Sequence, residues 1–390
     1  MFTMDFFYTL PGKLALFVTA VLVALGGFFT SLSTYTSVTP TSGETPVEGE
    51  WQVSVEVSTS TVADVPPPPS TQTEQQEPAS ARKTVAVLVV TPQTPSTPTL
   101  PQEPAIDPST LNTQTRNALV NILCTTKAGG SFKPISGSGV IIDSRGVVLT
   151  NAHVGQYFLL QDYPTDGNVD CILRTGSPAR SMYRAELLYL PTAWIDTNAS
   201  QIVQEQGTGT GEHDYAFLHI TGPTGPSIPF PTTFPSIAMT GSLPTPGDSM
   251  LLAAYPAGFL DGQTIALNLF ITSAYAAVRG LFTFDNPQQV DLFSIGGTIV
   301  SQGGSSGGAV VRAEDGKLAG IIVTSTAAAS TAERDLRAIT IAHINRTLAA
   351  EGQGGLAELL SQNLSDGAAA FASSTAKAEL KKLKDAIEHR

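Results

Sequence analysis

Short apolar runs separated by glycine, proline and polar turns recur through residues 135–325. Residues 137–143 and 146–150 predict two strands joined by a turn, and residues 215–220 predict a further strand. These runs are too short for helices and are bounded by turn-forming residues. The pattern therefore predicts an all-β fold made of many short strands.

Helices are predicted before and after this β region. Residues 112–124 predict a short helix that leads into a strand, and residues 344–363 predict a helix that is broken at the glycines of residues 352–355. Residues 376–387 form an amphipathic pattern, with Leu380, Leu383 and Ile387 on one face. We expect its lysines to form a solvated face.

The N-terminal third of the chain has a different pattern. Residues 14–29 are an apolar run, preceded by Lys13, which predicts a signal anchor or transmembrane segment within residues 1–33; cleavage as a signal peptide is the alternative. Either outcome places the rest of the chain outside the cytoplasm, as a membrane-anchored or a secreted protein. Residues 34–110 are rich in Thr, Ser and Pro, and we expect a disordered linker in which residues 51–57 and 84–90 are transient strands or added edge strands.

Composition narrows the function classes. Of the 390 residues only 14% are charged, and the net charge of −12 argues against a nucleic acid or an anionic lipid surface as a partner. The 35 glycines and 27 prolines suit a loop-rich β protein rather than a helical bundle. We therefore expect one folded domain over residues 111–350 and a helical tail over residues 351–390.

Three separate stretches carry side chains suited to acyl transfer. Residues 303–310 read Gly-Gly-Ser-Ser-Gly-Gly-Ala-Val, a glycine-rich turn whose Gly304 and Ser306 N–H groups can converge on one oxygen. His153 follows the second predicted strand, and Asp214 precedes the apolar run at residue 215. Together they supply a nucleophile, a base and an acid that orients the base.

These stretches resemble the motifs of trypsin-like (chymotrypsin-fold) serine proteases, nearest to the bacterial Deg-type branch. The resemblance rests on GSGVIID, GVVLTNAHV, HDYAFLHI and GGSSGGAV, and it spans roughly residues 115–350. It implies two antiparallel six-stranded β-barrels with the site in the cleft between them. It also implies that His153 is the general base, Asp214 its orienting carboxylate and Ser306 the nucleophile, with the oxyanion hole at Gly304 and Ser306. Deg-type enzymes usually carry a PDZ domain, for which residues 351–390 are too few.

The remaining reactive side chains suggest structural roles. The chain has two cysteines, Cys124 and Cys171, for which a disulfide in an exported protein competes with two buried free thiols. No metal or organic cofactor is implied. We expect His213, His219 and His343 to be structural.

Substrate preference follows from the stretches that flank the nucleophile. Residues 298–302 and 320–325 contain no carboxylate, whereas binding Lys or Arg requires a buried negative charge. We therefore expect cleavage of protein or peptide substrates after small or medium apolar residues.

Two other functions are open to this sequence. One is a catalytically silent binding or scaffold protein that keeps the same fold. The other is an α/β-hydrolase esterase, because residues 304–308 also match G-x-S-x-G, with Asp335 and His343 as nominal partners.

Overall fold

The computed structural model describes residues 106–389, apart from residues 128–133, 205–208, 327 and 329. Six strands form a closed barrel in the order β1-β2-β3-β6-β5-β4, and each neighbouring pair is antiparallel. The strands are β1 Leu119–Thr126, β2 Ile135–Asp143, β3 Val147–Thr150, β4 Val169–Thr175, β5 Arg180–Tyr189 and β6 Ala216–Pro223. The first predicted barrel is therefore confirmed.

The second predicted barrel differs in its strand count. Its strands are β7 Ser249–Ala254, β8 Thr272–Ala277, β9 Gly280–Phe282, β10 Leu292–Ser294, β11 Ala309–Arg312, β12 Leu318–Ser325 and β13 Leu336–Thr340. They form an open seven-stranded sheet in the order β8-β7-β11-β12-β13-β10-β9, so the expected second barrel is wrong both in its six strands and in its closure. The chain changes its hydrogen-bonding neighbour between β8 and β9, which makes two strands of one segment. The Val278 N–H donates to the Asp248 carbonyl beside β7, whereas the next N–H, of Arg279, donates to the Ser294 carbonyl of β10.

Helices lie before, between and after the strands. They are α1 Pro108–Asn117, α2 Ala152–Gly155, α3 Thr192–Asn198, α4 Gly262–Leu267, α5 Ile341–Leu348, α6 Leu356–Ser361, α7 Leu364–Ser373 and α8 Thr375–Glu388. Short 3₁₀ turns cover Gln156–Leu160, Ala199–Val203 and Thr331–Glu333, and a π turn covers Ala349–Gln353. Helix α1 begins at Pro108, four residues before the predicted start and inside the predicted linker, because Asp107 accepts from the Thr110 N–H at 2.9 Å and Pro108 occupies the first turn.

The C-terminal helices pack against the first barrel. Phe371 of α7 contacts Tyr189 of β5 with ring centroids 6.1 Å apart, and Leu383 and Ile387 of α8 are buried in the same core. The predicted apolar face of the last helix is thereby confirmed. Burying this face removes apolar surface from water, which stabilises the tail on the barrel.

A disulfide joins two strands of the first barrel. Cys124 of β1 and Cys171 of β4 are directly opposite in the antiparallel register, and their sulfur atoms are 2.03 Å apart. The bond closes a loop with a sequence separation of 47 residues. In the chain-entropy model such a loop contributes about 4 kcal/mol to stability.

The predicted membrane segment, residues 14–29, and the linker up to residue 105 lie outside the described residues. Among the helices of the described part of the chain, none combines the length and apolar character needed to cross a bilayer.

Candidate active site

The register of the first barrel brings His153 and Asp214 together. Strand β3 pairs with β6 so that Thr150 lies opposite Ala216. The residues after β3 therefore lie beside the residues before β6, and His153 follows β3 on the short helix α2. The Asn151 side chain joins the two segments by donating to the Asp214 carbonyl at 2.8 Å.

Asp214 holds His153 through both of its carboxylate oxygens. Oδ2 lies 2.8 Å from His153 Nδ1, and Oδ1 accepts from the His153 backbone N–H at 3.0 Å. The Asp214 side chain is 8% exposed, whereas the His153 side chain is 38% exposed. The carboxylate thus fixes the position of the imidazole from the buried side and leaves Nε2 for other partners.

The same contact sets the protonation of His153. Burial of the imidazole acts to lower the pKa of His153, but the negative charge of Asp214 and its hydrogen bond outweigh burial and raise that pKa above its ordinary value. A raised pKa makes this imidazole a stronger proton acceptor than a free histidine.

The glycines around Ser306 are required by the shape of the turn. Gly304 has φ +87° and Gly307 has φ +81°, a region that side chains rarely adopt. A Cβ at Gly307 would lie 2.1 Å from the Ser138 carbonyl oxygen, and one at Gly304 would lie 2.8 Å from the Tyr255 carbonyl oxygen. The turn is thus packed directly against the first barrel and the second sheet, and only glycine fits at these two positions.

Ser138 connects the Ser306 turn to the first barrel. Its Oγ donates to the Gly304 carbonyl at 2.8 Å and accepts from the Tyr255 N–H at 2.9 Å, and its own N–H donates to the Ser306 carbonyl at 2.8 Å. Ser138 is fully buried in β2. Ser138 is not among the predicted site residues, although its position between two glycines in an apolar strand is a sequence signal for such a role.

Two features of the Ser306 turn bear on catalysis. Among the described residues, neither the Gly304 N–H nor the Ser306 N–H has a hydrogen-bond acceptor, so both donors remain available to a ligand. The structure also has no hydrogen bond between the Ser306 hydroxyl and the His153 imidazole within the described residues. His153 and Asp214 are therefore in direct contact, whereas Ser306 is joined to strand β2 through Ser138.

His343 and Asp291 form a second buried histidine–aspartate pair. His343 Nδ1 is 2.7 Å from Asp291 Oδ1, and Arg346 contacts the same oxygen at 2.5 Å. Burial lowers the pKa of His343 despite the neighbouring carboxylate. Asp335, its nominal partner in the esterase alternative, pairs instead with Arg337 at 3.0 Å. Because both sheets are antiparallel, the α/β-hydrolase alternative is wrong.

Comparisons with known proteins point to one family. The sequence model of the protein family described as the trypsin-like peptidase domain matches residues 137–321, which include His153, Asp214 and Ser306. No curated protein sequence matches the chain. In the described residues no group of three or more His, Cys, Asp or Glu side chains is arranged to hold a metal ion.

Solved structures similar to this chain include two proteases. The Rv3671c protease from M. tuberculosis in its active form is 20% identical, with a TM-score of 0.38, over 67% of this chain and 93% of that chain. The serine endoprotease from Yersinia pestis is 20% identical, with a TM-score of 0.40, over 63% of this chain and 67% of that chain. From the match we conclude that residues 137–321 are similar to the trypsin-like peptidase domain.

Proposed function

We propose that the chain hydrolyses peptide bonds through an acyl-enzyme, with Ser306 as nucleophile, His153 as general base and Asp214 as the group that orients the base. The observation that carries this proposal is the two-point contact between Asp214 and His153, at 2.8 Å and 3.0 Å. A carboxylate that binds Nδ1 selects the tautomer in which Nε2 is free to accept a proton.

The proposed reaction proceeds in two halves. Ser306 Oγ attacks the scissile carbonyl carbon while His153 Nε2 takes the hydroxyl proton, and the imidazolium then gives that proton to the departing amine. In the second half water attacks the acyl carbon while His153 Nε2 takes its proton, and the imidazolium then gives that proton to Ser306 Oγ as the carboxylic acid product departs. The charge of Asp214 stabilises the imidazolium in both halves.

The Gly304 and Ser306 N–H groups are proposed as the oxyanion hole. Their lack of acceptors within the described residues supports this role, because donors already aimed at the developing oxyanion need no reorganisation. The proposal requires the hydrogen bond between Ser306 and His153 to form when substrate enters. Catalytic hydrogen bonds that are long or poorly aligned in an empty site commonly tighten in the complex.

For the residue before the scissile bond we propose a small or medium apolar side chain. Val300, six residues before Ser306, is fully buried, and Arg334 donates to the Ser301 carbonyl at 2.7 Å. The apolar side chain and the guanidinium both oppose binding of a cationic residue. Peptide-library profiling checks this preference, and cleavage mainly after Lys or Arg would contradict it.

We also propose that residues 14–29 tether the peptidase domain outside the cytoplasm. The disulfide between Cys124 and Cys171 supports an oxidising compartment. Alkaline extraction of membranes distinguishes an uncleaved anchor, which stays in the pellet, from a cleaved signal peptide, which releases the protein.

A catalytically silent scaffold is the second candidate function, favoured by the missing Ser306–His153 hydrogen bond. Labelling with a fluorophosphonate separates the two, because this probe reacts with an activated serine. We expect labelling of the wild type and of Ser305→Ala, and none of Ser306→Ala. Ser305 is a matched control because its hydroxyl is buried and has no hydrogen-bond partner in the described structure. A wild type that resists the probe would support the scaffold.

A further inference from the structure

The residue before Asp214 has an unusual backbone conformation. His213 has φ 56° and is the only non-glycine residue with positive φ in the described structure. Its carbonyl accepts from the Tyr215 N–H at 2.8 Å, which closes a tight turn around Asp214. Because non-glycine residues resist this region, other contacts have to hold His213 in place.

The His213 side chain faces a carboxylate from the C-terminal part of the chain. Its Nδ1 lies 3.9 Å from Glu351 Oε1, and its Nε2 lies 3.8 Å from Glu212 Oε1. His213 Nδ1 and Glu351 Oε1 are both buried, and neither has a hydrogen-bond partner among the described residues. Two buried polar atoms that face each other without a bond gain stability when a small displacement joins them.

Glu351 is itself held against the first barrel. Its Oε2 accepts from the hydroxyl of Tyr189 on β5, and Tyr189 stacks on Tyr215, the residue after Asp214, with ring centroids 6.4 Å apart. Thr347 of α5 donates to the Tyr215 hydroxyl at 3.0 Å. The segment after the second sheet thus contacts both sides of the turn that carries Asp214.

Other ionisable groups surround this pair. The His343 ring lies 6.1 Å from the His213 ring, and its Nδ1 is occupied by Asp291, which Arg346 also contacts. Glu212 is on the same segment as His213. Of these groups, Glu351 is the carboxylate that faces the buried Nδ1.

We propose that His213 is a positioning residue for the triad and that Glu351 is its partner. In this arrangement the His213 Nδ1–H donates to the Glu351 carboxylate after the 3.9 Å gap narrows, and this bond holds the left-handed turn that presents Asp214 to His153. The C-terminal segment would thereby support the catalytic aspartate from outside the cleft. This inference rests on the proposed function, because it assigns His213 a task only if Asp214 orients His153.

The test compares Glu351→Ala with Glu186→Ala. Glu186 is a matched control because it faces His219 Nδ1 at 3.4 Å in the same barrel, away from Asp214. We expect Glu351→Ala to lower kcat about tenfold with little change in KM, because displaced catalytic groups slow the reaction step. In Glu351→Ala the fall of kcat/KM at acid pH should also move to lower pH, because a displaced Asp214 no longer raises the pKa of His153. Glu351→Gln, which still accepts a hydrogen bond, should restore most of the activity.

A second variant tests whether the effect of Glu351→Ala results from misfolding. His213→Gly permits the positive φ but deletes the imidazole, and we expect it to shift the fall of kcat/KM at acid pH as Glu351→Ala does, with an unchanged circular dichroism spectrum. Kinetics of Glu351→Ala and His213→Gly that match those of Glu186→Ala would overturn the inference. Residual activity in Ser306→Ala would instead refute the proposed function, so the two failures are distinguishable.

Discussion

Ser138 offers the sharpest test of how the first barrel and the second sheet hold the Ser306 turn. Its hydroxyl bridges the Gly304 carbonyl and the Tyr255 N–H, at 2.8 Å and 2.9 Å. In Ser138→Ala both bonds are lost. Tyr255 is fully buried, so its N–H is left without a partner and without access to water.

The expected loss of stability follows from these two bonds. An orphaned buried donor costs about 1–3 kcal/mol, and the Gly304 carbonyl, which is partly accessible to water, adds about 1 kcal/mol. We therefore expect Ser138→Ala to lower the free energy of unfolding by about 2–4 kcal/mol. Activity should also fall, by about 10–100-fold in kcat, because Gly304 supplies one proposed oxyanion donor.

Ser136→Ala is the matched control. Ser136 lies on the same strand, and its hydroxyl accepts from Asn121 Nδ2, which also donates to the Gly137 carbonyl. Asn121 therefore keeps a partner, and we expect a loss below about 1 kcal/mol. Urea denaturation measures both variants, and peptide hydrolysis measures kcat. Equal stability and activity of the two variants would refute the bridging role of Ser138.

The remaining predictions concern the charged pairs and the disulfide. Asp214→Asn should lower kcat by about 10⁴-fold. Because the Asp214 carboxylate raises the pKa of His153, the fall of kcat/KM at acid pH should also move to lower pH in this variant. An unchanged pH profile would contradict the contact between Asp214 and His153. Burial lowers the pKa of His343 in the folded state below the unfolded value of 6.5. The neutral side chain therefore stabilises the folded state fully above pH 6.5. This stabilisation is lost as the pH falls, because the unfolded state takes up the proton first. The stability advantage of the wild type over His343→Asn should accordingly shrink between pH 7.5 and about 5.5 in equilibrium unfolding. Replacing Cys124 and Cys171 by serine should cost about 4 kcal/mol, and a loss near zero would count against the loop-entropy estimate.

The strands and the candidate site residues were accessible from local sequence. The strands β2 and β3 and the turn at residues 303–308 follow from apolar runs and glycine positions that act over a few residues. The change of neighbour at Val278–Arg279 was not accessible, because which neighbour a strand pairs with depends on distant segments.

The sequence by itself determined the all-β class, the resemblance to trypsin-like proteases and the identity of His153, Asp214 and Ser306 as candidates, because these depend on residue types within short motifs. Only the tertiary structure decided that Ser138 joins the first barrel to the second sheet and that Glu351 faces His213 across 3.9 Å. Glu351 and His213 are far apart along the chain, and no local pattern marks either one. Their proximity results from the packing of the C-terminal helices on the first barrel, where buried polar atoms must find partners that chain order does not specify.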